Sequence, residues 1–115
     1  MTLYPTYGLV RVPFPFTDRQ AQKRRPALVL SQPDFQHRSG HLLLAMVTSA
    51  RHSSWPLDWL IQEREPTGLP QLCLVRFKLF SLDERLVLGG LGELAPLDRD
   101  GVAQQLRRLM PAMNG

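Results

Sequence analysis

The sequence predicts a mainly β protein of the α+β class, a small curled barrel with one helix packed on or beside it. Three observations carry that expectation. Short apolar or alternating runs separated by turn residues fill the first four-fifths of the chain. Ten prolines stand at the edges of those runs, as in VPFPFT, RRPAL, QPD, WPL and LPQ, where strand hydrogen bonding tolerates a missing N–H. Helical spacing emerges only in PLDRDGVAQQLRRLM, where Val102, Leu106, Leu109 and Met110 form one apolar stripe behind Pro96, a residue suited to a first turn.

The elements follow in order. GLVRV (8–12) alternates around Arg11, ALVLS (27–31) and HLLLAMVTS (41–49) are nearly all apolar, and PLDWLI (56–61) alternates again. LCLVRFKLF (72–80) is a fifth run, in which Arg76 and Lys78 are two apart and therefore share one strand face. RLVLGGLGEL (85–94) is a sixth, broken by Gly89, Gly90 and Gly92. That glycine cluster reads as a bulge or corner rather than a phosphate loop, because no Gly-Lys-Ser/Thr follows and no long helix opens from it. There is no repeat, low-complexity tract or linker, so residues 1–115 read as one domain.

Size and composition bound the function. A chain of 115 residues can bury roughly 65% of its unfolded surface around one core, but not two. Fourteen Lys and Arg against ten Asp and Glu give a formal charge of +4, which favours acidic or polyanionic partners. The single cysteine, Cys73, excludes an internal disulfide and a Cys-based zinc cluster, and suits a reducing cytosol. MTLYPTYG lacks a basic stretch followed by an apolar core, and the longest apolar run, LLLAMV (42–47), is too short to cross a bilayer. The expectation is a soluble, cytoplasmic protein. No pair of histidines has metal-ligand spacing with a carboxylate or thiolate, so no metal is expected.

The densest positive charge lies in QKRRPALVLS, where Lys23, Arg24 and Arg25 stand directly before Pro26 and an apolar run. A solubility device would be spread over exposed surfaces; an anion-binding device wants its cations on a rigid element anchored in the core. Pro26 fixes its own φ and pushes Arg25 toward extended geometry, so the cation leaves from a defined point. The ordinary alternative is an edge charge that discourages aggregation. Lys23 and Arg24 likewise either hold backbone phosphates or face water.

Five blocks, YGLVRVPFPFTDRQAQKRRPALVLSQPDF, AMVTS, WPLDW, GLPQLCLVRFKLFSLDERLV and LGEL, resemble in order and spacing the MazF/PemK-type toxins of bacterial type II toxin–antitoxin systems. The match covers almost the whole chain. It implies an SH3-like β-barrel of about five to seven strands with a C-terminal helix, assembled as a homodimer. It also implies a metal-independent, cofactor-free, sequence-specific endoribonuclease of the bacterial cytoplasm, which cleaves single-stranded RNA such as mRNA and is neutralised by an acidic antitoxin. Arg25 falls on the family's catalytic arginine, and Thr48, in AMVTS, on its catalytic threonine. RNA carries its own nucleophile, the 2′-hydroxyl, so cleavage needs alignment, charge stabilisation and proton traffic rather than an activated side chain. A guanidinium and a hydroxyl suit those needs. A threonine at a strand end is otherwise simply a good β-former.

A second tier of RNA-binding candidates comprises Lys23, Arg24, Arg76 and Lys78, with Phe16, Thr17 and Trp55 as stacking or loop contacts. Phe14 and Phe16 flank TDRQAQK, a loop suited to closing over RNA or antitoxin. Trp55 fits a dimer contact as well as a base contact, whereas Trp59 alternates with Leu57 and Ile61 and reads as core. Three departures from the family pattern limit the mechanism. There is no histidine between Thr17 and Pro26, Leu9 follows Gly8 where relatives often have Asp, and Lys78 stands two after Arg76 where some relatives have Asp. An Arg/Asp acid–base pair is therefore not expected in this chain. Lys78 binds phosphate, carries a proton or forms a plain salt bridge. His37 and His41 read as surface residues, and His52, four after Thr48, is the outside candidate for acid–base work. The competing readings are a non-catalytic toxin that acts by binding a protein such as gyrase, and a plain RNA-binding barrel.

Overall fold

The computed structural model describes residues 2–13, 24–51 and 54–112. Its centre is one six-stranded antiparallel sheet in the order β4-β5-β3-β2-β1-β6. The strands are β1 (Gly8–Pro13), β2 (Arg24–Val29), β3 (His41–Ser49), β4 (Trp59–Leu60), β5 (Cys73–Asp83) and β6 (Gly89–Glu93). Among the described residues the sheet is accompanied by helices α1 (Pro33–Ser39) and α2 (Pro96–Leu109). The sheet curls into a half-barrel, and the two edges approach where the turn Glu65–Thr67 lies against β6. Gly92 makes that approach possible: a Cβ there would sit 2.3 Å from the Pro66 carbonyl oxygen. The glycine cluster is thus a packing and bulge feature, since the β1–β6 register also shifts between Leu9 and Val10.

The apolar runs of β1 to β3 lack polar alternation because both faces of the sheet are covered. One face carries Leu9, Leu28, Ala45, Val47, Val75 and Phe77, packed with Ile61, Leu94 and Val102 of α2. The other carries Val10, Val12, Ala27, Val29, Leu42, Leu44 and Leu82. Cys73 is buried among the first set, and desolvation pushes its thiol pKa up despite the opposing charge of Arg64. That makes it a core residue rather than a nucleophile.

The helix expected near the end is α2, with Pro96 in its first turn. Its partner element was not foreseen: α1 has Pro33 at its start and ends at Gly40, which adopts φ 74°. Seven residues with only Gln36 buried leave no apolar stripe to read. Gln36 instead acts through polar contacts, its Nε2 donating to the Thr2 carbonyl (2.8 Å) and Glu84 Oε1 (3.0 Å) while Oε1 accepts from Tyr4 N (3.0 Å). The alternating run 56–61 supplies only the two-residue β4, because Pro56 to Asp58 form a turn with Leu57 at φ 68°. β2 starts at Arg24, ahead of the expected Ala27, and Pro26 is tolerated because only Ala27–Val29 pair with β3. Among the described residues no helix is long and apolar enough to cross a membrane.

Helix α2 is fixed to the β4 edge by a buried carboxylate. Asp98 is fully buried and accepts hydrogen bonds from Trp59 Nε1 (2.9 Å), Gln62 N (2.9 Å) and Glu63 N (3.0 Å). Trp59 packs so closely on Gly101 that a Cβ there would lie 2.1 Å from the indole. Trp59 is a packing residue, as its alternation implied. Asp98→Ala would strand three part-buried donors and is expected to lower the unfolding free energy by about 2–4 kcal/mol in urea titration. A loss below about 0.5 kcal/mol would remove Asp98 from the tether.

Candidate active site

The ladders of β1, β2, β3 and β5 collect the predicted residues at one end of the sheet. Arg25 pairs with Val12 of β1, and Thr48 pairs with Leu74 of β5. Between β2 and β3, Ala27 faces Met46 and Val29 faces Leu44. Carrying that register two residues further sets Arg25 level with Thr48. Directly opposed residues in an antiparallel ladder point to the same side, so both side chains belong to one face. Both are half-buried. The same face continues inward through Met46 to Arg76, its partner on β5. A bulge between Ala45 and Met46 moves the β5 partner from Leu79 to Arg76, which leaves Phe77 and Lys78 in the irregular step.

Arg76 was expected to offer its guanidinium to phosphate, but Asp58 competes for that fork. Its Nε donates to Asp58 Oδ1 (3.2 Å) and a terminal nitrogen to Asp58 Oδ2 (2.9 Å). Arg76 is buried, and the Asp58 hydrogen bond raises its pKa further above the arginine range against the effect of desolvation. An Arg/Asp pair therefore does exist on this face, with its carboxylate supplied by the loop before β4 rather than by β5. Asp58 Oδ2 also accepts from Trp55 N (2.9 Å), so one carboxylate ties the loop to the strand. Leu57 is held at positive φ in that loop, and Gln105 Nε2 of α2 donates to its carbonyl (3.3 Å). Such backbone strain persists only where neighbours over-determine it.

Trp55 is 41% exposed, and the Lys78 ammonium lies 4.9 Å from its ring centroid. That cation–π contact places the two residues together beside the Arg76–Asp58 pair. Arg24 is exposed at the start of β2. Lys23, Phe16, Thr17 and His52, with Phe14 and the whole TDRQAQK loop, lie outside the described residues. His37 and His41 are exposed at the far end of β3 from Thr48. A cavity of about 470 Å³ adjoins this end of the sheet, lined by Arg11, Arg24, Arg25, Leu69, Pro70 and Leu91 among others. Asp58 and Arg11 are the two polar residues here that were not singled out from sequence. A lone carboxylate inside the otherwise apolar WPLDW was the available signal for Asp58.

Chemically, the arrangement offers a preorganised guanidinium and a hydroxyl on one face, with a second guanidinium neutralised nearby. Among the described residues no three His, Cys, Asp or Glu side chains gather as a metal-binding group. The profile of PemK-like, MazF-like toxins of type II toxin–antitoxin systems matches residues 7–110. No curated protein matches significantly in sequence. Among solved structures, a MazE–MazF complex from Deinococcus radiodurans superposes with a TM-score of 0.75 at 24% identity, covering 98% of this chain and 100% of that one. MazF from the same organism gives 0.73 at 26% identity, covering 95% and 97%. An endoribonuclease in complex with its cognate antitoxin from a mycobacterial species gives 0.74 at 14% identity, covering 98% and 100%.

Removing one member of the Asp58–Arg76 pair leaves a buried charge without its carboxylate. Asp58→Ala is expected to cost on the order of 2–4 kcal/mol in urea titration, and Asp58→Ala with Arg76→Met to recover part of that loss. Equal stability of Asp58→Ala and wild type would show that the pair does not hold the loop.

Proposed function

Because the chain belongs to the PemK-like, MazF-like toxins of type II toxin–antitoxin systems, we propose that it is a metal-independent endoribonuclease that cleaves single-stranded RNA at Arg25 and Thr48. The observation that carries the reading is the register that levels Arg25 with Thr48 on one face. In this reading the substrate's 2′-oxygen attacks the adjacent phosphorus in line, the bond to the 5′-oxygen breaks, and the proton lost by the 2′-hydroxyl is balanced by one gained at the leaving oxygen. The upstream product ends in a 2′,3′-cyclic phosphate and the downstream product begins with a 5′-hydroxyl. The Arg25 fork donates to the non-bridging oxygens as negative charge grows there, and the Thr48 hydroxyl donates to the same group. Neither acts as a nucleophile, which is why a strand-end threonine suffices.

The remaining assignments belong to the same proposal. Arg24, Lys78 and Trp55 hold the strand on either side, with Arg76 shaping the floor through Asp58 rather than binding phosphate alone. The protein works in the bacterial cytoplasm as a homodimer, and an acidic antitoxin neutralises it. The fold shared with antitoxin-bound structures supports that last partner, as does the +4 charge, which speeds encounter with an acidic tail.

The test is incubation of the pure protein with a mixed RNA pool in excess EDTA, followed by mapping of the ends. Sequence-selective cuts with 5′-hydroxyl ends are expected, and replacing the ribose at a cut by 2′-deoxyribose should protect it. Intact RNA would favour a non-catalytic role. Arg25→Ala should lose on the order of 10²–10³ in rate while staying folded. Thr48→Ser should keep its activity, since the hydroxyl is retained. An Arg25→Ala variant with more than about a tenth of the wild-type rate would remove Arg25 from the mechanism.

A further inference from the structure

We propose that the cavity lined by Arg11 and Arg24 is a second phosphate subsite, which takes a phosphodiester of the RNA neighbouring the one that is cut. The proposal rests on the reading of this chain as an RNA-cleaving enzyme. Its starting point is strand register. Arg11 of β1 pairs with Pro26 of β2, and Arg24 stands two residues from Pro26. Arg11 and Arg24 are therefore diagonal neighbours on one face, with Cβ atoms roughly 7–8 Å apart by ordinary sheet geometry. That separation lets two guanidinium forks converge on a single phosphate. Arg25, between Arg24 and Pro26, has its Cβ on the opposite face, level with Thr48, and still borders this cavity. A strand passing over the start of β2 thus meets Arg25 at the rim and the Arg11–Arg24 pair beyond it.

Three further observations mark this cavity as built for an anion. Arg11 and Arg24 are both exposed, and among the described residues neither meets a carboxylate. Like charges on neighbouring strands repel, so a bare arginine pair costs stability that a bound phosphate would relieve. The β6 residue opposite Arg11 is Gly89, where an added Cβ would meet nothing within 4 Å, so no side chain from that position crowds Arg11. Beside the three arginines Arg11, Arg24 and Arg25 the wall is apolar, with Pro26, Leu69, Pro70 and Leu91, and the volume is about 470 Å³. A free phosphate would leave that wall bare, whereas a nucleotide sets its phosphate on the arginines and its sugar or base on the leucines. An acidic peptide carries the charge but has no reason to span the rim next to Arg25.

The test uses an RNA oligonucleotide of a mapped cut sequence, with 2′-deoxyribose at the cut so that it stays whole. Its dissociation constant is measured by fluorescence anisotropy across a salt series for wild type, Arg11→Gln and Arg11→Lys. Arg11→Gln is expected to weaken binding about tenfold at low salt and to reduce the log–log salt slope by about 0.7, the value for one phosphate contact on a single strand. Arg11→Lys should restore the slope, because the charge returns, while recovering only part of the affinity, because the fork does not. On cleavable RNA the Arg11→Gln loss should fall mainly on KM rather than on kcat. The subsite is overturned if wild type cleaves RNA and Arg11→Gln binds the uncleavable oligonucleotide with unchanged affinity and slope. It is equally overturned if Arg11→Gln weakens a Glu-rich peptide but leaves RNA binding intact. Absence of cleavage by wild type would be a different failure, that of the endoribonuclease reading itself.

Discussion

The antiparallel ladder between β2 and β3 is the constraint on which the rest of this molecule depends. Only three pairs define it, Ala27–Met46, Leu28–Ala45 and Val29–Leu44, yet each involves a fully or largely buried side chain. Slipping the register by one residue would turn Leu28 and Ala45 away from one core and Val29 and Leu44 away from the other. The two-sided core therefore fixes the register, and the register fixes which cations meet at the sheet's end. Arg25 stands level with Thr48 because Leu28 must face Ala45.

Around that ladder, the positive end is organised by one acid and one irregularity. The bulge opposite Ala45 and Met46 redirects β5, so that Arg76 faces Met46 and Lys78 reaches Trp55. Asp58 then occupies the Arg76 fork and fastens the Trp55 backbone. A guanidinium already held by a carboxylate is a structural cation. The part Arg76 plays on this face thus follows from where Asp58 lies.

Much of this was legible in the sequence, and the illegible parts share a cause. Strands were readable because run length, alternation and bordering prolines are local signals, and α2 because Pro96 and the Val102–Leu106 spacing are local too, although Leu109 and Met110 of the expected stripe are exposed. The place of Arg25 in the first residues of β2 was readable because its proline and its strand are adjacent to it. Helix α1 escaped because seven residues with one buried glutamine carry no apolar period. The Asp58–Arg76 pair joins residues 18 apart, and Asp98–Trp59 joins residues 39 apart. The Arg11–Arg24 diagonal exists only once β1 and β2 are aligned. Such contacts are set by register and bulges, which no single segment encodes.

If the register makes Arg25 and Thr48 serve one phosphate, their contributions to cleavage must be coupled. The most direct measurement is a double-mutant cycle in single-turnover RNA cleavage, with Arg25→Ala, Thr48→Ala and the double variant, each checked for wild-type stability. The account predicts strong non-additivity, with the double variant cleaving within about threefold of Arg25→Ala because the hydroxyl has little left to support once the guanidinium is gone. Rate losses that simply multiply, with an interaction energy below about 0.5 kcal/mol, would mean that the two residues act at separate places and would contradict it.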